Sequence, residues 1–128
     1  MIKNQNIKLN DTGFLYSNND VKNLEVFKLT KKILHLKTQK NKICLNSKCY
    51  LKKDFNKYFF GSYYDENLID DILSFKPIFN RENAKLQDEC MVQKITSQGA
   101  DIDYKVCKNT LSFIDNKHKN TIKIKILN

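Results

Sequence analysis

Along most of the chain, apolar residues recur at every second position, the period of a half-buried strand. The C-terminal stretch shows it cleanly: Ile122, Ile124 and Ile126 alternate with Lys123 and Lys125. The same period predicts strands at 13–16, 24–29, 32–37, 42–45, 49–51, 91–96, 101–107 and 110–115. In the middle of the chain the period lengthens. Residues 54–61 predict one or two helical turns ending at Gly61. Residues 65–73 carry the strongest helical pattern, with Leu68, Ile72 and Phe75 on one face and Ile69 and Leu73 beside them. Acidic residues fill its first turn, where the helix dipole favours them, and Pro77 stops it. The pattern reads as α+β, mainly β: an antiparallel sheet with a helical insertion between about residues 55 and 76. Residues 1–11 fall outside the pattern and read as a flexible N-terminal segment; 12–128 read as a single β domain.

The turns then set registers. Asn46-Ser47 is a two-residue turn signal. It pairs Leu45 with Lys48 and Cys44 with Cys49, at a site where the Cα atoms approach closely enough for a disulfide. A turn centred between Gln98 and Gly99 pairs Ile95 with Ile102 and Met91 with Val106 on one face. It pairs Lys94 with Asp103 on the other, and it opposes Cys90 and Cys107. A one-residue slip would reverse every side chain. Two hairpins that independently oppose their cysteines predict two disulfides, Cys44–Cys49 and Cys90–Cys107, and so an oxidising compartment. A zinc site fits worse: Cys90 and Cys107 are isolated, and His35 and His118 lie far off in sequence.

Composition changes this picture little. Apolar residues make up 41% and charged residues 29%, ordinary for a globular domain. No apolar run approaches the roughly 18 residues that span a bilayer. The net charge of +9 suits an anionic partner. Of 23 basic residues, however, only Arg81 is an arginine, the residue best suited to bidentate reading of bases and phosphates. With asparagine also abundant, the lysines follow the coding bias of an AT-rich genome. What remains is attraction to an anionic membrane surface, and no nucleic acid is expected.

No motif names a reaction. There is no P-loop, dinucleotide-binding glycine pattern or nucleophile elbow, and no cofactor is implied. Asp70-Asp71 and Asp101/Asp103 read as solvated faces rather than acid–base pairs. His35 alternates against Leu34 and Leu36 and faces solvent without a partner in the sequence; His118 sits in a hairpin turn. Tyr58, Phe59, Phe60, Tyr63 and Tyr64 crowd ahead of the main helix, as core, as cavity wall or, less well, as a stacking platform for bases.

One stretch carries a resemblance. Ile43-Cys44-Leu45-Asn46-Ser47-Lys48-Cys49-Tyr50 is followed by Phe55-Asn56-Lys57-Tyr58-Phe59-Phe60 and an acidic-apolar helix ending Lys76-Pro77-Ile78-Phe79. With the closing Ile122–Ile126 alternation, this resembles a group of short, lysine-rich outer-membrane lipoproteins of Gram-negative bacteria. Its strand order is more distantly similar to the LolA/LolB lipoprotein-carrier superfamily over about residues 12 to 127.

The resemblance implies a curved antiparallel sheet forming an incomplete barrel, its mouth covered by helices and its concave face binding acyl chains. Candidate cavity residues are Val26, Leu34, Leu36, Phe59, Leu68, Ile72, Ile95, Ile102, Tyr104, Phe113, Ile122 and Ile124. The same residues form the core if the sheet is collapsed. The receptor of that superfamily inserts an apolar loop residue into the membrane. Here the corresponding turn places Leu29 beside Lys31 and Lys32, a basic, headgroup-contacting version. The implied role is a non-enzymatic lipoprotein on the periplasmic face of the outer membrane, taking lipid acyl chains or lipoproteins from a periplasmic carrier, as a monomer. The chain opens Met1-Ile2-Lys3-Asn4, so this reading expects a leader and a lipidated cysteine ahead of Met1. The alternative is a structural or protein-interaction lipoprotein of the envelope with a filled core.

Overall fold

The computed structural model describes residues 1–127. In chain order the elements are β1 (Ile2–Lys3), β2 (Lys8–Leu9), β3 (Gly13–Asn18), β4 (Val21–Lys28), β5 (Lys31–Thr38), β6 (Lys42–Leu45) and β7 (Lys48–Leu51). Then come α1 (Lys52–Phe60), α2 (Leu68–Leu73), β8 (Lys85–Gln87), β9 (Cys90–Ile95), β10 (Ile102–Val106), β11 (Thr110–Asp115) and β12 (Asn120–Lys125).

The mainly β, α+β class holds, but the strands form two antiparallel sheets rather than one. The chain divides accordingly into two units, where the sequence reads as one domain. Residues 10–73 make one unit; residues 1–9 with 74 onward make the other. The first sheet has the order β3-β4-β5-β6-β7 and the second β2-β1-β12-β11-β10-β9-β8. Neither closes into a barrel. The break follows from pairing: after the helices the chain starts β8 against β9, not against β7.

Residues 1–11 are not wholly a loose segment. Ile2 pairs with Ile122 of β12 and is buried, and Ile2 also faces Leu9 of β2. The N-terminus thus supplies strands to the sheet built from the C-terminal half.

In the five-stranded unit, Leu24, Val26, Leu34 and Leu36 point inward on β4 and β5, cross-strand partners in the pairs Leu24–Leu36 and Val26–Leu34. Helix α1 turns Phe55, Asn56, Phe59 and Phe60 inward, at helical spacing. Gly61 ends it in a left-handed conformation (φ 86°), its N–H bonded to the Lys57 carbonyl. Helix α2 is shorter than expected. It buries Leu68, Ile69, Ile72 and Leu73 but stops before Phe75, which lies past its end at φ 56°.

The seven-stranded unit buries Ile95, Ile102, Tyr104, Leu111, Phe113 and Ile122. Polar side chains are buried with them, Gln93, Asp115 and Asn120 among the described residues. Gln93, 1% exposed, accepts a hydrogen bond from the Ile78 N–H at 2.8 Å. Its amide donates to the carbonyls of Ile78 (2.9 Å) and Glu82 (2.8 Å). This clamp holds a turn in which Phe79, Asn80 and Arg81 all take positive φ, a run that L-residues avoid without such support.

Candidate functional site

Both predicted disulfides are present. Cys44 faces Cys49 and Leu45 faces Lys48 across the β6–β7 turn. In the β9–β10 hairpin, Ile95 faces Ile102, Lys94 faces Asp103 and Met91 faces Val106, with Cys90 bonded to Cys107. Lys94 reaches Asp103 at 3.3 Å and also Asp101 at 2.6 Å. Its hydrogen bond to Asp101 raises the Lys94 pKa and lowers that of Asp101. The pair is exposed and so adds little stability.

The β4–β5 hairpin differs from its expected form. Its turn is Leu29-Thr30, with Lys28 facing Lys31 and Phe27 facing Lys32. The register then shifts, so that Val26 faces Leu34 and Ile33 becomes the extra residue of a β-bulge. Leu29 stands at the tip, 96% exposed, at φ 59°. That conformation costs a side-chain-bearing residue about 1–2 kcal/mol. Lys28, Lys31 and Lys32 are exposed around it.

The bulge has a second effect. It turns Lys32 to the same outer face as Glu25 and His35, which face each other across β4 and β5. Lys32 Nζ lies 2.5 Å from Glu25. His35 Nε2 is 2.8 Å from Asn23 Oδ1 and Nδ1 is 3.9 Å from Glu25. The Tyr16 hydroxyl, from β3, also bonds Glu25. The hydrogen bond from Lys32 holds the Glu25 carboxyl below its ordinary value of 4.5. His35 therefore faces outward as its alternation predicts, but it has partners. The strand alternation of Asn23 and Glu25 carried the signal; the bulge hid the register that joins them to Lys32.

The candidate cavity residues fall into both units. Val26, Leu34, Leu36, Phe59, Leu68 and Ile72 are buried in the five-stranded unit; Ile95, Ile102, Tyr104, Phe113 and Ile122 are buried in the other. Ile124 is only half-buried. In the five-stranded unit the aromatic side chains pack ring on ring: Phe55 stacks on Phe59 at 5.2 Å, and Phe59 meets Phe60 edge-on at 4.9 Å. Tyr64 is buried, whereas Tyr58 and Tyr63 are exposed. An open groove in that unit is lined by polar and charged residues, Asn19, Asp20, Gln39, Lys40, Lys52 and Asp70 among them. Asp70 there is held by Lys52 at 2.8 Å, so it is not the freely solvated residue expected. His118 stays in its turn, where its N–H, with that of Lys117, donates to the buried Asp115 carboxylate.

Among the described residues no group of three or more His, Cys, Asp or Glu side chains is placed to hold a metal, and no helix is long and apolar enough to cross a membrane. No protein-family model, curated protein or solved structure matches this chain.

Proposed function

We propose that this protein is a non-enzymatic lipoprotein of the Gram-negative outer membrane that accepts or holds lipoprotein acyl chains at its periplasmic face. The observation that carries the membrane part is Leu29. A leucine 96% exposed at positive φ on a hairpin tip is unfavourable in water on both counts. Where the tip meets a lipid interface, burial of the side chain offsets both costs. Lys28 and Lys31 beside it are suited to anionic headgroups, and a buried leucine contributes about 1.5–3 kcal/mol. The two disulfides fit an oxidising compartment such as the periplasm. The acyl-chain part rests on the sequence resemblance, with about 0.8 kcal/mol gained per methylene buried.

Vesicle sedimentation tests the tip. Wild type is expected to bind vesicles containing phosphatidylglycerol better than pure phosphatidylcholine vesicles. Leu29→Asn should weaken binding about tenfold while leaving the fold as stable or about 1 kcal/mol more stable. Equal binding by the two proteins would refute insertion. Retention of a triacylated lipopeptide through gel filtration tests acyl-chain capture.

A second reading is an envelope structural or protein-interaction lipoprotein with a filled core. It is favoured by the stacking of Phe55, Phe59 and Phe60. Membrane binding without lipopeptide retention would select it.

A further inference from the structure

The two sheets have four end strands, and one of them is unlike the rest. β2 has two residues, β8 three and β7 four, and each contains a lysine (Lys8, Lys85 and Lys48). Short strands and edge lysines are the usual means of keeping an open sheet edge from pairing with another chain. β3 has neither. It runs six residues, Gly-Phe-Leu-Tyr-Ser-Asn, without a charge, in a protein of net charge +9. None of its residues is buried; Phe14 is 64% and Tyr16 41% exposed.

The hydrogen-bonding direction of β3 follows from two observations. Phe27 N–H donates to the Thr12 carbonyl at 2.9 Å. At the other end Asn18 pairs with Val21 across the two-residue turn Asn19-Asp20, both at positive φ. Even-numbered positions therefore bond to β4. The N–H and C=O groups of Gly13, Leu15 and Ser17 point away, along the open edge.

We propose that β3 is a self-association edge: two copies of this chain pair β3 against β3, antiparallel about a two-fold axis, joining their five-stranded sheets. Facing residues of paired strands lie on the same sheet face, so odd positions must meet odd positions. The register with Leu15 opposite Leu15 of the second copy places Gly13 opposite Ser17 twice. It engages every outward N–H and C=O of the three residues, with two hydrogen bonds per facing pair. Sliding by two residues either way leaves some of them unpaired. The same register sets Phe14 opposite Tyr16, twice, at the closer non-hydrogen-bonded sites. Cross-strand aromatic pairs there are favourable. The occupant is a second copy because the edge is self-complementary in this register and bears no charge, so the chain's own positive charge raises no direct opposition within it. The lysine-bearing edges would set like charges close together. An isologous contact of this kind closes as a dimer. The sequence reading expects a monomer, and the proposed dimer departs from that expectation.

Sedimentation equilibrium over a wide concentration range tests this on the intact, oxidised protein. The weight-average mass should climb from that of one chain toward twice that value and no further. Ser17→Pro removes an outward N–H but no bond to β4, and Phe14→Lys places a lysine within the aromatic pair. Each should abolish the rise, whereas Leu86→Lys on β8 should leave it intact. Amide exchange on the wild type needs no variant. Leu15 and Ser17 should gain protection as concentration rises, and β8 should not. A mass fixed at one chain, assembly beyond two, loss of the dimer in Leu86→Lys, or unchanged exchange at Leu15 and Ser17 would overturn the proposal.

Discussion

The two units differ in how they treat one strained turn and the open edges of their sheets. The seven-stranded unit ends in two short lysine-bearing strands, and its strained Phe79–Arg81 turn is held by the buried Gln93. The five-stranded unit leaves one strained residue, Leu29, unburied at a hairpin tip and leaves an uncharged six-residue strand at its edge. In one unit the surrounding structure compensates for an unfavourable conformation. In the other it does not, and a feature that is unfavourable in isolation is one that an interaction can stabilise. The exposed tip and the open edge set the five-stranded unit apart, and substitutions in each unit test that difference.

The largest effect is expected at Gln93. Gln93→Leu leaves the Ile78 N–H and the Ile78 and Glu82 carbonyls without their partner, at about 1–3 kcal/mol for each buried group. Denaturant unfolding should show a total loss of about 4 kcal/mol. A loss under 1 kcal/mol would mean that the turn does not depend on its clamp.

The disulfides come next. In the loop-closure model, removing Cys90–Cys107 (separation 17) costs about 3 kcal/mol and removing Cys44–Cys49 (separation 5) about 2. Paired Cys→Ser variants should keep that order, and the reverse order would show that the short β6–β7 loop is not governed by chain entropy.

Gly13 probes the edge. A Cβ built there would lie 1.9 Å from the Glu25 carbonyl oxygen, so Gly13→Ala must displace β3 from β4. The expected cost is about 2 kcal/mol, measured by thermal unfolding, with exchange protection lost first in β3.

The smallest effects are electrostatic and of opposite sign within the five-stranded unit. The folded-state pKa of Glu25 is lowered, chiefly by the hydrogen bond from Lys32. Its contribution is present above pH 4.5 and fades as pH falls through the lowered value. Asp65 is raised, chiefly by burial. It opposes folding once ionised, and that penalty disappears below its ordinary 3.8. Glu25→Gln should therefore destabilise, and Asp65→Asn stabilise, near neutral pH. Both differences from wild type should shrink in acid, as stability against pH would show.

Much of this was legible because hairpins are local. In β6–β7 and β9–β10, a turn signal a few residues from the strands fixes which positions meet, and the alternation of Ile95, Lys94 and Cys90 checks the register. The β4–β5 hairpin failed the same logic. Ile33 is apolar like its neighbours, so nothing in its type marks it as the bulged residue, and the grouping of Lys32 with Glu25 and His35 was hidden.

The alternating pattern and the turns by themselves determined the mainly β class, two hairpin registers and both cysteine pairings, since each depends on contacts close in sequence. The tertiary structure alone decided that the strands divide into two sheets, that Ile2 joins β12 and that β3 ends a sheet without protection. Those outcomes depend on which strands meet across long stretches of chain. A strand's own residues state which of its faces is apolar but not which neighbour, if any, will satisfy its edge.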